Sequence, residues 1–208
     1  MAYPTVSAPY GLKPINRIDG LPYAGATQQL PIASTYNTAI YNGDVVLVNG
    51  GTIKKSAVTS DSTTDKANNA TYGVFMGVQY VNTQGQTVQA QYYPGNAAAT
   101  SAIAYVVMDP AAEFKVAVTY SGNSTISSAN ASVVGVNLAL IQGTGSTITG
   151  DSGVSVAAPS SGTGNAAALP VRVVKVVPET ASGNNAFTEV VVKFNNPQVL
   201  LAAGNDYL

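Results

Sequence analysis

Asp109 and Glu113, in the segment DPAAE, come nearest in this sequence to the paired carboxylates of general acid–base chemistry. The same segment reads equally simply as a turn with Pro110 at its corner and a charge opening the next strand, and this is the reading it favours. The chain has no His and no Cys, so catalysis would rest on Asp, Glu, Lys, Ser or Tyr, without an imidazole base or a thiol nucleophile. The lack of cysteine also excludes disulfides and a Cys/His zinc centre. Asp61 and Asp65 in DSTTD offer oxygens to calcium, but the further ligands and the turn glycine of an EF-hand loop are missing. GSTITGDSG at 145–153 lacks the G-x-S-x-G order of a serine nucleophile, and GGTIKKS at 50–56 has the composition of a phosphate loop without its order. No catalytic residue, metal ligand or cofactor is expected.

Two further spacings raise the question of contact rather than catalysis. In TYGVFMGVQY, residues 71–80, apolar side chains recur at every second position, with Gly73 and Gly77 between them. A membrane-helix G-x-x-x-G motif needs about twenty apolar residues around it, and a phosphate cradle needs a following helix; the flanks here offer neither. What remains is a bend or bulge in a sheet, or a neighbouring strand or subunit lying close over Phe75. On that reading the even face, Tyr72 to Tyr80, belongs to the core. Tyr92 and Tyr93, with Gln89 and Gln91, could supply the aromatic and amide groups of a glycan site.

Positioning such residues falls to a chain that is 46% hydrophobic but only 9% charged, against roughly 25% charged residues in ordinary soluble domains. Free monomers keep a charged surface, whereas interface centres are depleted of Lys, Glu and Asp, so the composition predicts a chain largely covered by partners. The nine basic residues are scattered and the net charge is −1, which argues against nucleic acid. No apolar run approaches the eighteen or so residues of a membrane span, and the N-terminus shows no basic-then-apolar signal, so synthesis in a cytoplasm without export is expected. The N-x-S/T triplets at Asn69, Asn123 and Asn130 are accounted for by the abundance of Asn, Ser and Thr.

Along the chain, residues 1–40 carry prolines at 4, 9, 14, 22 and 31, which fix φ and remove donors. They predict an extended N-terminal arm with neither a long helix nor a central strand. Its aromatic and apolar content predicts that it lies against its own domain or a neighbour. Residues 41–195 read as a β domain, with strands at 44–48, 52–56, 72–81, 86–93, 103–108, 114–120, 171–177 and 188–194. Many short strands between turn signals indicate a sandwich or barrel. Residues 59–70 form a polar tip, and 121–168 a loop-rich insertion of small residues, with a short helix at 128–134 and a strand after it. Residues 196–208 read as a C-terminal docking tail.

The order SAPYGLKPIN, LPIASTYNTAIYNGDVVLVNGG, TYGVFMGVQYVNTQGQ, YYPG and VVMDPAAEFKVAV, over residues 7–120, resembles the capsid decoration, or cement, proteins of tailed-bacteriophage heads. The resemblance implies an all-β fold, a β-sandwich or tulip-like β domain with an extended N-terminal arm and long small-residue loops. It also implies a place on the capsid surface of a virion, bridging neighbouring capsomers against the pressure of packed DNA. The implied partners are the major capsid protein and further copies of the chain, as a homotrimer or a dimer, with no nucleic acid and no membrane. Tyr3, Tyr10 and Tyr23 are then expected anchors, since Tyr offers wide contact at little rotamer entropy. Phe75 is an expected subunit contact. Lys13 and Arg17 would either pair with capsid carboxylates or stand as solvated charges. A receptor-binding module built on Tyr92 and Tyr93 is the competing reading, and a surface-layer or pilus subunit is disfavoured by the lack of an export signal.

Overall fold

A computed structural model of the chain describes residues 6–56, 73–95, 101–120, 123–126, 133–158, 169–180 and 187–195. Tyr3, the 59–70 tip with Asp61 and Asp65, and the 196–208 tail lie outside the described residues. The described part is all-β. Its strands are β1 (Lys13–Arg17), β2 (Gln28–Ile32), β3 (Val45–Asn49), β4 (Thr52–Lys55), β5 (Gly73–Val81), β6 (Thr87–Ala90) and β7 (Ala102–Val107). They continue with β8 (Ala112–Tyr120), β9 (Asn123–Ile126), β10 (Asn137–Leu138), β11 (Leu140–Ile141), β12 (Ser155–Ala157), β13 (Val171–Val176) and β14 (Glu189–Phe194).

One sheet closes on itself. Pairing runs β3–β4–β2–β7–β5, and β5 then pairs back to β3 through Val45↔Val74 and Val46↔Gly73, giving a five-stranded barrel with β6 attached to β5. Every stave contributes to one buried cluster: Ile32, Val46, Ile53, Phe75 with Val78, and Ala104 with Val106. That cluster is therefore the barrel interior. Ile40 and Tyr93 join it and bond to each other through both backbone groups, Tyr93 N–H to Ile40 O at 2.7 Å and Ile40 N–H to Tyr93 O at 3.0 Å.

The second sheet is organised by β8. Along one edge β8 pairs antiparallel with β14, and along the other with β1 and then parallel with β12. β13 adds to β14, β10 to β13, and β11 to β12. The core beneath it contains Leu12, Phe114, Val116, Val118, Leu140, Val156, Val173 and Val192, together with Val45, Val74 and Val107 from the outside of the barrel. The doublets Val45-Val46, Val74-Phe75 and Val106-Val107 thus send one side chain into each core. Continuous apolar runs are what a strand buried on both faces requires.

Three expectations change. Residues 1–40 do not form an arm over the described part: β1 belongs to the β8 sheet, and β2, Pro31 included, lies between β4 and β7. Proline is tolerated there because β2 meets β4 at a single register position, Ile32↔Ile53, so most of that flank needs no donor. The insertion 121–168 holds more than the single strand expected: among its described residues the short strands β9 to β12 lie between loops, and Leu138, Leu140, Val154 and Val156 are buried. Of its expected helix, residues 128–132 lie outside the described part, and Val133 opens a turn closed by the Val136 N–H at 3.0 Å.

The third concerns Phe75, which is fully buried inside the barrel. β5 carries a bulge: Phe75 faces Val106 and Gly77 faces Tyr105, so Met76 is an extra residue. The bulge reverses the alternation, which is how odd Phe75 and even Val78 reach one core while Val74 and Met76 pack on the other. The close approach that the glycines allow comes from within the chain. A Cβ on Gly73 would lie 2.3 Å from the carbonyl oxygen of Val107, and one on Gly77 3.2 Å from that of Ala90.

Candidate functional site

The polar groups of the described residues converge where the N-terminal segment, the barrel and the 143–153 loop meet. Asn42 sits in a parallel bridge with Asp151, its N–H bonded to Gly150 O and its carbonyl accepting from Ser152 N–H, both at 2.9 Å. Leu12 N–H donates to Gly43 O at 3.0 Å, which brings the start of β1 against the same turn. Glycine is required at this crossing, because a Cβ on Gly11 would stand 2.8 Å from Gly43 O.

Lys13 Nζ enters from β1 and lies 2.5 Å from Asn42 Oδ1 and 2.7 Å from Asp151 Oδ1. The Asn42 amide is oriented from its other side, its Nδ2 donating to Met76 O at 2.8 Å. Gln91 Nε2 reaches the same Asp151 oxygen at 3.4 Å. Next to this group Asp44 is completely buried and fully engaged. It accepts from Ser152 Oγ at 2.6 Å and Tyr41 N–H at 2.8 Å, and pairs with Lys55 Nζ at 2.9 Å. Lys55 also lies over the Tyr41 ring, which stacks on Tyr92 with centroids 5.5 Å apart. An open cleft of about 560 Å³ borders the junction, between residues 6–10 and the hydroxyl-rich 144–152 loop.

A second cluster fastens the segment before β1. Tyr10 O–H donates to Glu189, whose other oxygen pairs with Lys115 at 3.3 Å, and Lys115 lies over the Tyr10 ring. Burial first, then the hydrogen bond to Glu189 and its charge, raise the Tyr10 phenol well above its ordinary range. Tyr23 is raised by burial and by Asp109. Tyr93 is raised by burial and by its Tyr36 and Tyr80 neighbours.

Four of the expected contact residues are engaged within the chain. Tyr10 and Lys13 are spent on Glu189 and Asp151, Arg17 pairs with Asp109 at 3.1 Å and Asp19 at 3.4 Å, and Tyr23 packs on the β8-sheet core and donates to Ala26 O. The structure brings Tyr10 and Lys13 to neighbouring parts of one seam; Arg17 sits with Asp109 at the far end of β1. Asp109 Oδ1 accepts from Ala111 N–H at 2.8 Å, the turn reading, while Glu113 is buried in β8. Ser152 is sealed between Asp44 and Val154 N–H and presents no nucleophile to solvent. The glycan reading loses Tyr93, which is buried. Among the described residues, no group of three or more Asp, Glu, His or Cys could hold a metal. Among the described residues, no helix is long and apolar enough to cross a membrane. Asn42, Asp44 and Asp151 escape a reading by motif: YNGD registers only as a turn, and Asp151 lies 138 positions from Lys13. Compared with family models, curated proteins and solved structures, the chain matches none.

Proposed function

We propose that this chain is a virion structural protein that binds the outside of a tailed-phage capsid and cements neighbouring capsomers, without catalysis. The observation that carries the reading is the disposition of charge. Among the described residues, five ion pairs engage Lys13, Arg17, Lys55 and Lys115 with Asp19, Asp44, Asp109, Asp151 and Glu189, where the whole chain has only nine basic and ten acidic residues. Nearly half of an already small set of charges serves the chain's own seams. The remaining surface is rich in amides, hydroxyls and small apolar groups, with Leu21 and Ile148 projecting from turns at 55% and 94% exposure. Such a surface suits broad, permanent contact with protein better than free solution. The resemblance of residues 7–120 to decoration proteins supplies the specific partner.

The test is addition of the purified chain to phage heads that lack it, followed by imaging and gel analysis of sedimented particles. Extra density at regular outer positions, saturating at a fixed copy number per head, is the expected result. Heads that sediment without the chain at saturating concentration overturn the proposal.

A further inference from the structure

We propose that Lys13 and Asn42 react with each other to form an intramolecular isopeptide bond, with Asp151 as the proton carrier. The three groups needed are already in contact: an amine 2.5 Å from the side-chain amide oxygen of Asn42, and a carboxylate 2.7 Å from the same amine. Each is delivered by a different segment, and each segment is pinned to the others by backbone hydrogen bonds: Leu12 to Gly43, Asn42 to Gly150, and Ser152 to Asn42. The Asn42 amide cannot turn away, since Met76 O holds its Nδ2 at 2.8 Å, and Asn42 is only 7% exposed, which limits competition from water. Fixing nucleophile and electrophile in this way replaces a bimolecular encounter with an intramolecular one.

The reaction balances without a redox partner. Asp151 takes a proton from the Lys13 ammonium, and the neutral amine attacks Cγ of Asn42. As the Nζ–Cγ bond forms and the Cγ–Nδ2 bond breaks, that proton passes to the departing Nδ2. The second Nζ proton leaves through the same carboxylate, so ammonia departs as ammonium and Asp151 ends as it began. Lys13 and Asn42 are the reactants, and Asp151, which touches the reacting Nζ, is regenerated. The competing reaction at this Asn-Gly step, attack by the Gly43 backbone nitrogen, is opposed by the hydrogen bond that holds Gly43 N–H on Phe75 O at 2.8 Å.

Intact-mass measurement of the full chain, followed by peptide mapping, tests the proposal. The expected result is a loss of one ammonia, about 17 Da, and a branched peptide joining Lys13 to residue 42. Lys13→Arg and Asp151→Ala should both retain the full mass. The full mass in the native protein overturns the proposal, whatever the variants do. So does a loss of ammonia that persists in Lys13→Arg or maps to Asn49-Gly50, since either marks a succinimide instead. If Lys13→Arg fails to fold, the branched peptide of the native chain alone decides.

Discussion

Tyr10 shows how much one hydroxyl carries when its acceptor is a nearly buried carboxylate. Tyr10→Phe leaves Glu189 with Lys115 and one oxygen short of a donor, and should lower stability by about 2 kcal/mol in urea unfolding, as for hydrogen bonds to charged groups. The phenol is raised above its usual 10.0, so its contribution is complete below that pH. As pH rises past 10.0 the unfolded chain loses the proton and the folded chain keeps it, so stability should fall. Tyr23 and Tyr93 act in the same direction. Phenolate absorbance should therefore appear together with loss of β circular dichroism rather than before it for these tyrosines, and Tyr10→Phe should shallow the alkaline fall. Asp44 is the stricter case: Asp44→Ala strands Lys55 and the Ser152 hydroxyl, and should cost about 3–5 kcal/mol by the same unfolding assay. None of these partnerships is legible in sequence, because a charge carries no mark of a partner brought to it by the fold. Lys13 and Arg17 read as available for outside carboxylates until Asp151 and Asp109 are placed beside them.

Strands were largely readable because their apolar runs and turn residues are local signals. The hairpin of β5 and β6 falls where Asn82 to Gly85 predicts it, with Asn82 Oδ1 accepting from both Gln84 and Gln86 N–H. Pairing was not readable: proline-rich residues 13–17 and 28–32 become strands because β8 and β7 supply ladders to them, which no local pattern encodes. Deleting residues 1–40 should consequently abolish folding, since it removes a stave of the closed barrel, and a flat far-ultraviolet melting curve would show it. A chain that still melted cooperatively would mean that β2 is dispensable. The bulge makes a sharper prediction. Deleting Met76 restores simple alternation, so residues on the two sides of it can no longer serve their present cores, and the protein should be insoluble or molten by dye binding. Gly73→Ala places a methyl against Val107 O and should cost about 1–3 kcal/mol.

At the scale of the molecule, composition was the most informative part of the sequence. The scarcity of charge is legible at a glance; that so many of the charges present are committed to internal pairs is not. If the chain attaches to phage heads as proposed, a surface with few free charges predicts weak dependence on ionic strength. Raising salt about tenfold should change the affinity of the chain for heads by less than about threefold, in contrast to a steered, charge-driven contact. Titration of labelled protein onto heads at two salt concentrations measures this. Ile148→Asp, on the tip of its turn, should leave folding intact and weaken attachment if that tip is seated on the shell.

The arrangement around β8 also has a meaning in terms of load. β1 lies along β8 in antiparallel register from Lys13↔Lys115 to Arg17↔Ala112, with its charged start locked to the 150–152 loop. Tension entering from the residues before β1 would act along the strand, across ladder bonds that lie perpendicular to it. Where the load leaves through the Ala112 end of β8, those bonds yield together rather than one after another. If the chain is seated on a shell as proposed, this seam would be a tie that resists slipping instead of a zip that opens from one end.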